Sequence, residues 1–207
     1  MKMISSFATR LALSAAIAMT PAAMLAQGSM GSQDSQGGMS SQTMGSPNMG
    51  AGNSMGNHLS AGDKKFVMEA AKGGMAEVEL GQLATEKASN EDVKKFGQRM
   101  VEDHTKANDR LKEVAGKEGI QLPTEISAKD KMTKERLSKL SGPAFDKAYM
   151  SDMVKDHTQD VADFEKESSS GKDSAVKDFA TQTLPTLQSH LQQAQQIAPM
   201  TSAGASR

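Results

Sequence analysis

The chain has no cysteine, no tryptophan, one tyrosine and six phenylalanines in 207 residues. Without cysteine there are no disulfides, no thiolate metal ligands and no cysteine-borne lipid anchor. A sheet core draws on aromatic and β-branched side chains. With aromatics this scarce, a helical core of Leu, Met, Ala and Val suits what is present. Neither sign of charge dominates, with 24 Lys and Arg against 25 Asp and Glu. Setting aside Lys2 and Arg10 leaves 22 basic residues and a formal charge of −3. That balance gives no electrostatic case for nucleic acid or an anionic membrane as partner. No apolar run is long enough to span a bilayer, residues 11–19 (LALSAAIAM) included.

What is present falls into unlike parts. Residues 1–26 read as an export signal: Lys2 and Arg10 supply positive charge, the apolar run follows, and small residues lead to a cut after Ala26. Residues 27–62 hold half of the 18 glycines, and Asp34 is their one charge. Such a segment cannot bury enough apolar surface to offset its ordering entropy, so a disordered linker is expected. Within it, Gly52-Asn53-Ser54-Met55-Gly56 has the form of a serine-hydrolase elbow. That motif needs a strand-to-helix turn, and no strand precedes it. Met30, Met39, Met44, Met49 and Met55, followed by His58, offer soft ligands suited to Cu(I). The plainer reading is a tether in which these residues are incidental.

From Ser60 the pattern is helical, and a domain is expected over residues 63–198, with a disordered tail at 199–207. Ser60 and Asp63 resemble a capping box. Phe66, Ala70, Gly73, Glu77, Leu80 and Ala84 then recur at helical spacing. Asn90, followed by Glu91 and Asp92, caps a second helix with the stripe Val93, Phe96, Met100, His104, Ala107, Leu111 and Val114. Gly116, Gly119 and Pro123 end it. A short helical stretch near 127–140 carries Met132, Leu137 and Leu140. A further helix restarts at Ser141-Gly142-Pro143 and bears Phe145, Tyr149, Met153, His157, Val161 and Phe164. The last long helix bears Val176, Phe179, Thr183, Leu187, His190, Ala194 and Ile197. Pro185 inside it predicts a kink or a restarted helix.

Short turns join the first two long helices and the last two, so each pair should be antiparallel. The connection between the pairs is long enough to run the length of a bundle. Two hairpins with one long crossover define a ferritin-like four-helix bundle, an all-α fold.

Three of the four histidines fall at mid-length on different helices: His104, His157 and His190. Glu77 takes the same position on the first helix. Buried imidazoles are costly unless something pairs them. A divalent metal ion would do so, and this donor set suits iron, manganese, zinc or copper. A buried His/Glu hydrogen-bond network without metal is the alternative. Asp103 and Asp156 each precede a histidine and point about 100° away from it. They are placed to orient a histidine on a neighbouring helix. Glu79 and Glu102 face elsewhere. Tyr149 reads as a core phenol with one hydrogen bond.

The segments GGMAEVELGQLA at 73–84, FGQRMVEDHTKAN at 96–108, FDKAYM at 145–150, MVKDHT at 153–158 and FATQTLPTLQSHL at 179–191 resemble a bacterial exported family known as a ferritin-like domain of unknown function. Its members are often labelled outer membrane proteins. The resemblance covers about Asp63 to Ile197 and implies a ferritin-like fold, a periplasmic or outer-membrane setting, and Glu77, His104, His157 and His190 as its recurring polar positions. The superfamily's di-iron sites use Glu-x-x-His on two helices. Here Val101, Val154 and Leu187 stand three residues before the histidines. A di-iron oxidase or an iron store is therefore not expected, and a binding protein is favoured over an enzyme.

Overall fold

Five helices make up most of residues 59–203, which are the residues that the computed structural model describes; no strand occurs among them. The segment read above as an export signal, the expected linker through His58 with its methionine run and G-x-S-x-G match, and residues 204–207 lie outside the described residues. The helices are α1 (Ala61–Lys87), α2 (Glu91–Lys117), α3 (Ala128–Ser138), α4 (Gly142–Ser170) and α5 (Ser174–Ala203). None of them is long and apolar enough to cross a membrane.

Side-chain caps set the starts. The Asp63 amide donates to Ser60 Oγ at 3.1 Å. Asp92 and Val93 donate to Asn90 Oδ1 at 2.8 and 3.4 Å. Ser127 caps α3 through the Asp130 amide at 3.1 Å. Pro143 occupies the first turn of α4, where its missing donor costs nothing. Gly119, with φ at +65°, carries the chain out of α2.

α1 packs mainly on α2 and α4 mainly on α5; α1 also meets α4, α2 meets α5, and α3 lies against α1 and α4. Two carboxylates lock the short turns. The amides of Lys172 and Asp173, between α4 and α5, donate to Asp63 at 3.0 and 2.9 Å. The amides of Ser89 and Asn90, between α1 and α2, donate to Asp146 at 3.1 and 3.0 Å, and Ser89 Oγ adds a bond of 2.6 Å. Asp63 is therefore half of the expected capping box: its amide binds Ser60, while its carboxylate serves a turn in the other pair of helices.

All seven residues of the expected α5 stripe are buried. The helix runs unbroken through Pro185 to Ala203, past the expected boundary at 198. Pro185 is exposed, so the carbonyl it strands at Thr181 faces water and no restart is needed. On α1 the buried stripe is rotated by about one residue in its first half. Val67, Ala71 and Gly74 are buried, and Phe66, Ala70 and Gly73 are only partly so. On α3 only Leu137 is buried, and Met132 is 70% exposed.

The apolar core is in two pieces. One gathers Leu80, Phe96, Met100, Tyr149, Met153 and Ala194 with their neighbours. The other gathers Val67, Leu111, Phe164, Val176, Phe179 and Leu187. On every long helix a polar residue lies between the two: Glu77, His104, His157 and His190, all buried.

Gly81 and Gly97 let α1 and α2 approach closely. A Cβ on Gly97 would lie 2.7 Å from Ala84 Cβ and 2.8 Å from the Gly81 carbonyl oxygen. Overpacking of this kind costs about 1–3 kcal/mol, which outweighs the helix-propensity gain of about 1 kcal/mol on replacing Gly by Ala. Gly97→Ala should lower the midpoint of urea unfolding; a raised midpoint would show that the helices have room to spare.

Glu167 shares the α4–α5 corner with Asp63. Burial, and then the Asp63 carboxylate, push its pKa up to about 7 from an ordinary 4.5. Burial also opposes charge on Asp63, but the Lys172 and Asp173 amides, with Glu167 and Ser60, outweigh it and hold Asp63 below the usual range. Folded Glu167 keeps a proton that the unfolded chain has released, so its contribution to stability falls as pH rises from 4.5 to about 7. Glu167→Gln should flatten this dependence. Thermal unfolding at about pH 5 and about pH 8 checks it, with the wild type expected to lose more on the alkaline side than the variant.

Candidate metal centre

His104 on α2, His157 on α4 and His190 on α5 converge in the layer between the two apolar cores. Their rings lie 5.8, 5.4 and 5.3 Å apart, centre to centre. One ligand nitrogen from each lies within 4.8 Å of the other two. Phe96 floors the group, edge-on to both His157 and His190.

Hydrogen bonds fix two of the tautomers. His157 Nδ1 lies 3.0 Å from the Met153 carbonyl oxygen, which can only accept, so Nδ1 carries the proton. The lone pair is then on Nε2. His190 Nε2 lies 2.9 Å from Asp103 Oδ2 and donates to it, which leaves the lone pair on Nδ1. His157 Nε2, His190 Nδ1 and His104 Nε2 are all buried, and no protein group pairs with any of them.

Burial disfavours positive charge on these rings. His104 is driven well below the ordinary histidine range by burial and then by charge on His157 and His190. His157 falls to about 4 by burial and then by His190, against the support of its bond to Met153. His190 is lowered by burial, with Asp103 opposing and Arg99 adding to the effect. The three are therefore neutral imidazoles at neutral pH, the form that binds metals.

Asp103 reaches sideways from α2 to His190 on α5, and Arg99 holds it. Arg99 Nε donates to Asp103 Oδ2 at 3.2 Å, and the same guanidinium donates to Gln193 at 2.8 Å and Ser189 at 3.0 Å. Burial works against charge on Asp103, yet His190 and Arg99 hold its carboxyl below the usual range. This carboxylate–imidazole pair orients a ring as the partner of a metal-bound histidine does. Asp156 touches no histidine. It faces Lys129, 3.7 Å away.

Glu77 is buried in the same layer with Oε2 unpaired, though outside the three-nitrogen cluster. Burial, and then Asp160 and Asp156, drive its carboxyl well above the usual range. Tyr149 is fully buried and its hydroxyl has no partner in the protein, where the sequence predicts one bond. Burial and the nearby Glu77 push the phenol up. Glu79 pairs with Lys134 at 2.8 Å on the outside, and Glu102 is exposed.

A cleft of about 740 Å³ opens between α1 and α4, and both Glu77 and His104 line it. Its α4 wall carries Asp156, Asp160 and Asp163. Asp160 is pushed up to about 7 by burial and by Asp156, Asp163 and Asp130, with Lys129 opposing. Neither Arg99 nor Asp160 stands out from the sequence reading. Arg99 lies off the apolar stripe. The acidic repeat at 156, 160 and 163 is helically spaced, and that spacing was its readable signal.

The fold and this layer define a helical protein with a buried three-imidazole cluster. The chain belongs to the family described as domain of unknown function DUF4142, whose model matches residues 49–197. No curated protein matches it significantly. Among solved structures, a DUF305 fragment from Deinococcus radiodurans is similar with a TM-score of 0.61 and 13% identity, over 69% of this chain and 99% of that one. A DUF305 protein from Streptomyces coelicolor, described as a candidate secreted protein, is similar with a TM-score of 0.59 and 11% identity, over 68% and 92%. At those identities the likeness is one of fold.

Asp103→Ala would leave the His190 donor and the Arg99 guanidinium without their carboxylate. The expected loss in stability of the metal-free protein is about 1–3 kcal/mol. Urea unfolding measures it, and an unchanged midpoint would show that the pair contributes nothing.

Proposed function

We propose that the chain is an exported, ferritin-like four-helix protein that binds one divalent metal ion through His104, His157, His190 and Glu77. Its role is to handle that metal in the cell envelope. Two observations carry this reading: one ring nitrogen from each of the three buried histidines lies within 4.8 Å of the other two, and each ring keeps a buried nitrogen without a protein partner. Metal–nitrogen bonds of about 2.0–2.1 Å in a tetrahedral site put the nitrogens about 3.3 Å apart. Small side-chain rotations close that gap. Glu77, protonated in the metal-free protein, would release its proton to the solvent-facing cleft and supply a fourth ligand through its unpaired Oε2. With Asp103 behind His190, two carboxylates balance a doubly charged ion in an apolar setting.

A purely structural His/Glu network would pair these atoms with one another, and none of them is so paired. The donor set fits iron, manganese, zinc and copper. The valines and leucine where a di-iron site has glutamates, at 101, 154 and 187, favour a single ion and a binding role over oxidase chemistry. The ferritin-like assignment draws on the pairing of the helices, with α1 on α2, α4 on α5, and a crossover bearing α3 between the pairs. Export draws on residues 1–26. Envelope placement draws further on the family resemblance.

Elemental analysis of purified protein after incubation with Fe(II), Mn(II), Zn(II) and Cu(II) tests the reading. About one ion per chain is expected in the wild type, with loss in His104→Ala, His157→Ala and His190→Ala. Asp103→Asn should keep the stoichiometry and weaken binding about 10–100-fold. A wild type that takes up none of the four metals overturns the proposal.

A further inference from the structure

The metal reading leaves open how an ion reaches a layer closed between two apolar cores. His157 and His190 have no exposed surface, and neither lines the cleft between α1 and α4. Glu77 and His104 are 4% and 6% exposed, and both line the cleft between α1 and α4. This cleft therefore reaches the layer at Glu77 and His104.

The cleft is open because of α1's sequence. Gly73 and Gly74 are neighbours with opposite tasks. A Cβ on Gly74 would run into the Asn108 side chain, so this glycine leaves room for that side chain. A Cβ on Gly73 would meet nothing within 4 Å, so this one leaves the cleft unfilled. The opposite wall carries four aspartates, with Lys129, Lys155 and Lys166 among them. Asp156, Asp160 and Asp163 recur on α4, and Asp130 joins them from α3. Asp160 forms no hydrogen bond or ion pair among the described residues. Lys129, 3.7 Å from Asp156, is the nearest opposing charge and is 72% exposed. Two buried ligand atoms without partners, Glu77 Oε2 and His104 Nε2, lie at the inner end.

We propose that this cleft is the entry route for the ion, with an outer cation station at Asp156 and Asp160 that hands a hydrated divalent cation inward to Glu77 and His104. The proposal rests on the metal reading above. Carboxylates in a walled cleft raise the local cation concentration and the association rate. Oxygen ligands suit an ion that still holds water, while the imidazoles suit one that has shed it. Carboxylates alone at the outer station, and imidazole joining the Glu77 carboxylate further in, match stepwise dehydration.

The test is stopped-flow transfer of Zn(II) from a chromophoric chelator to the metal-free full chain, at low and high salt. Asp156→Asn with Asp160→Asn should slow association about tenfold at low salt and flatten its salt dependence, with one Zn(II) still bound at saturation. Gly73→Leu narrows the path without touching a charge. It should slow association and dissociation alike and leave affinity unchanged, since it alters the path and not its ends. Wild-type rates in both variants would overturn the route and leave the metal site standing. A wild type that binds no Zn(II), and none of the other three metals, overturns the site and the route together. His104→Ala, which removes an inner ligand, should abolish uptake.

Discussion

The burial of three neutral imidazoles between two apolar cores is the constraint on which the rest of this molecule turns. An imidazole nitrogen without a partner in a dry interior carries a desolvation cost, and here three such nitrogens face a shared space. Their surroundings are organised around that cost. The Met153 carbonyl and the Asp103 carboxylate each take one ring proton, which turns a lone pair of His157 and of His190 inward. Arg99 holds Asp103 in turn, through a fork that also reaches Ser189 and Gln193 on α5. Phe96 closes the layer toward the larger core. A natural sequence satisfies buried polar atoms nearly everywhere. It leaves several unpaired in one place when that place has a use.

Much of this was legible beforehand. Ser60 and Asn90 announce their helices, and the seven-residue stripe on α5 is buried throughout. The three histidines lie on such stripes, so their meeting follows from helical periodicity and antiparallel pairing. What was not legible depended on rotation and reach. A stripe on α1 written through Phe66, Ala70 and Gly73 is one residue out of phase in that half. Val67, Ala71 and Gly74 are buried instead, and Gly74 leaves room for the Asn108 side chain. Gly73 lies on the cleft wall, where a Cβ would meet nothing within 4 Å. Asp103 could be placed 100° off the histidine stripe from sequence. The identity of its partner, on a helix 87 residues away, could not. Tyr149 was expected to find a partner for its hydroxyl and has none, since Glu77 raises its pKa without bonding to it.

The two cores also differ in make-up. One is rich in methionine, with Met100, Met150 and Met153. The other is built on Phe66, Phe164 and Phe179, in edge and tilted contacts at 4.8 to 6.4 Å. Rigid aromatic packing lies at the end where the cleft opens, and adaptable methionine lies at the other.

The two carboxylate locks have a further consequence. Asp146 satisfies a turn 57 residues before it, and Asp63 satisfies one 110 residues after it. Neither helical hairpin supplies the acceptor that its own turn needs. The turns of an all-helical chain are usually its most local structure, and chains of that kind fold fast because their contacts are near in sequence. Here the turns are among the most distant contacts in the fold. Completing either one demands closure of a long loop first. Each turn therefore completes its hydrogen bonds only when the two halves of this helical architecture are docked on one another.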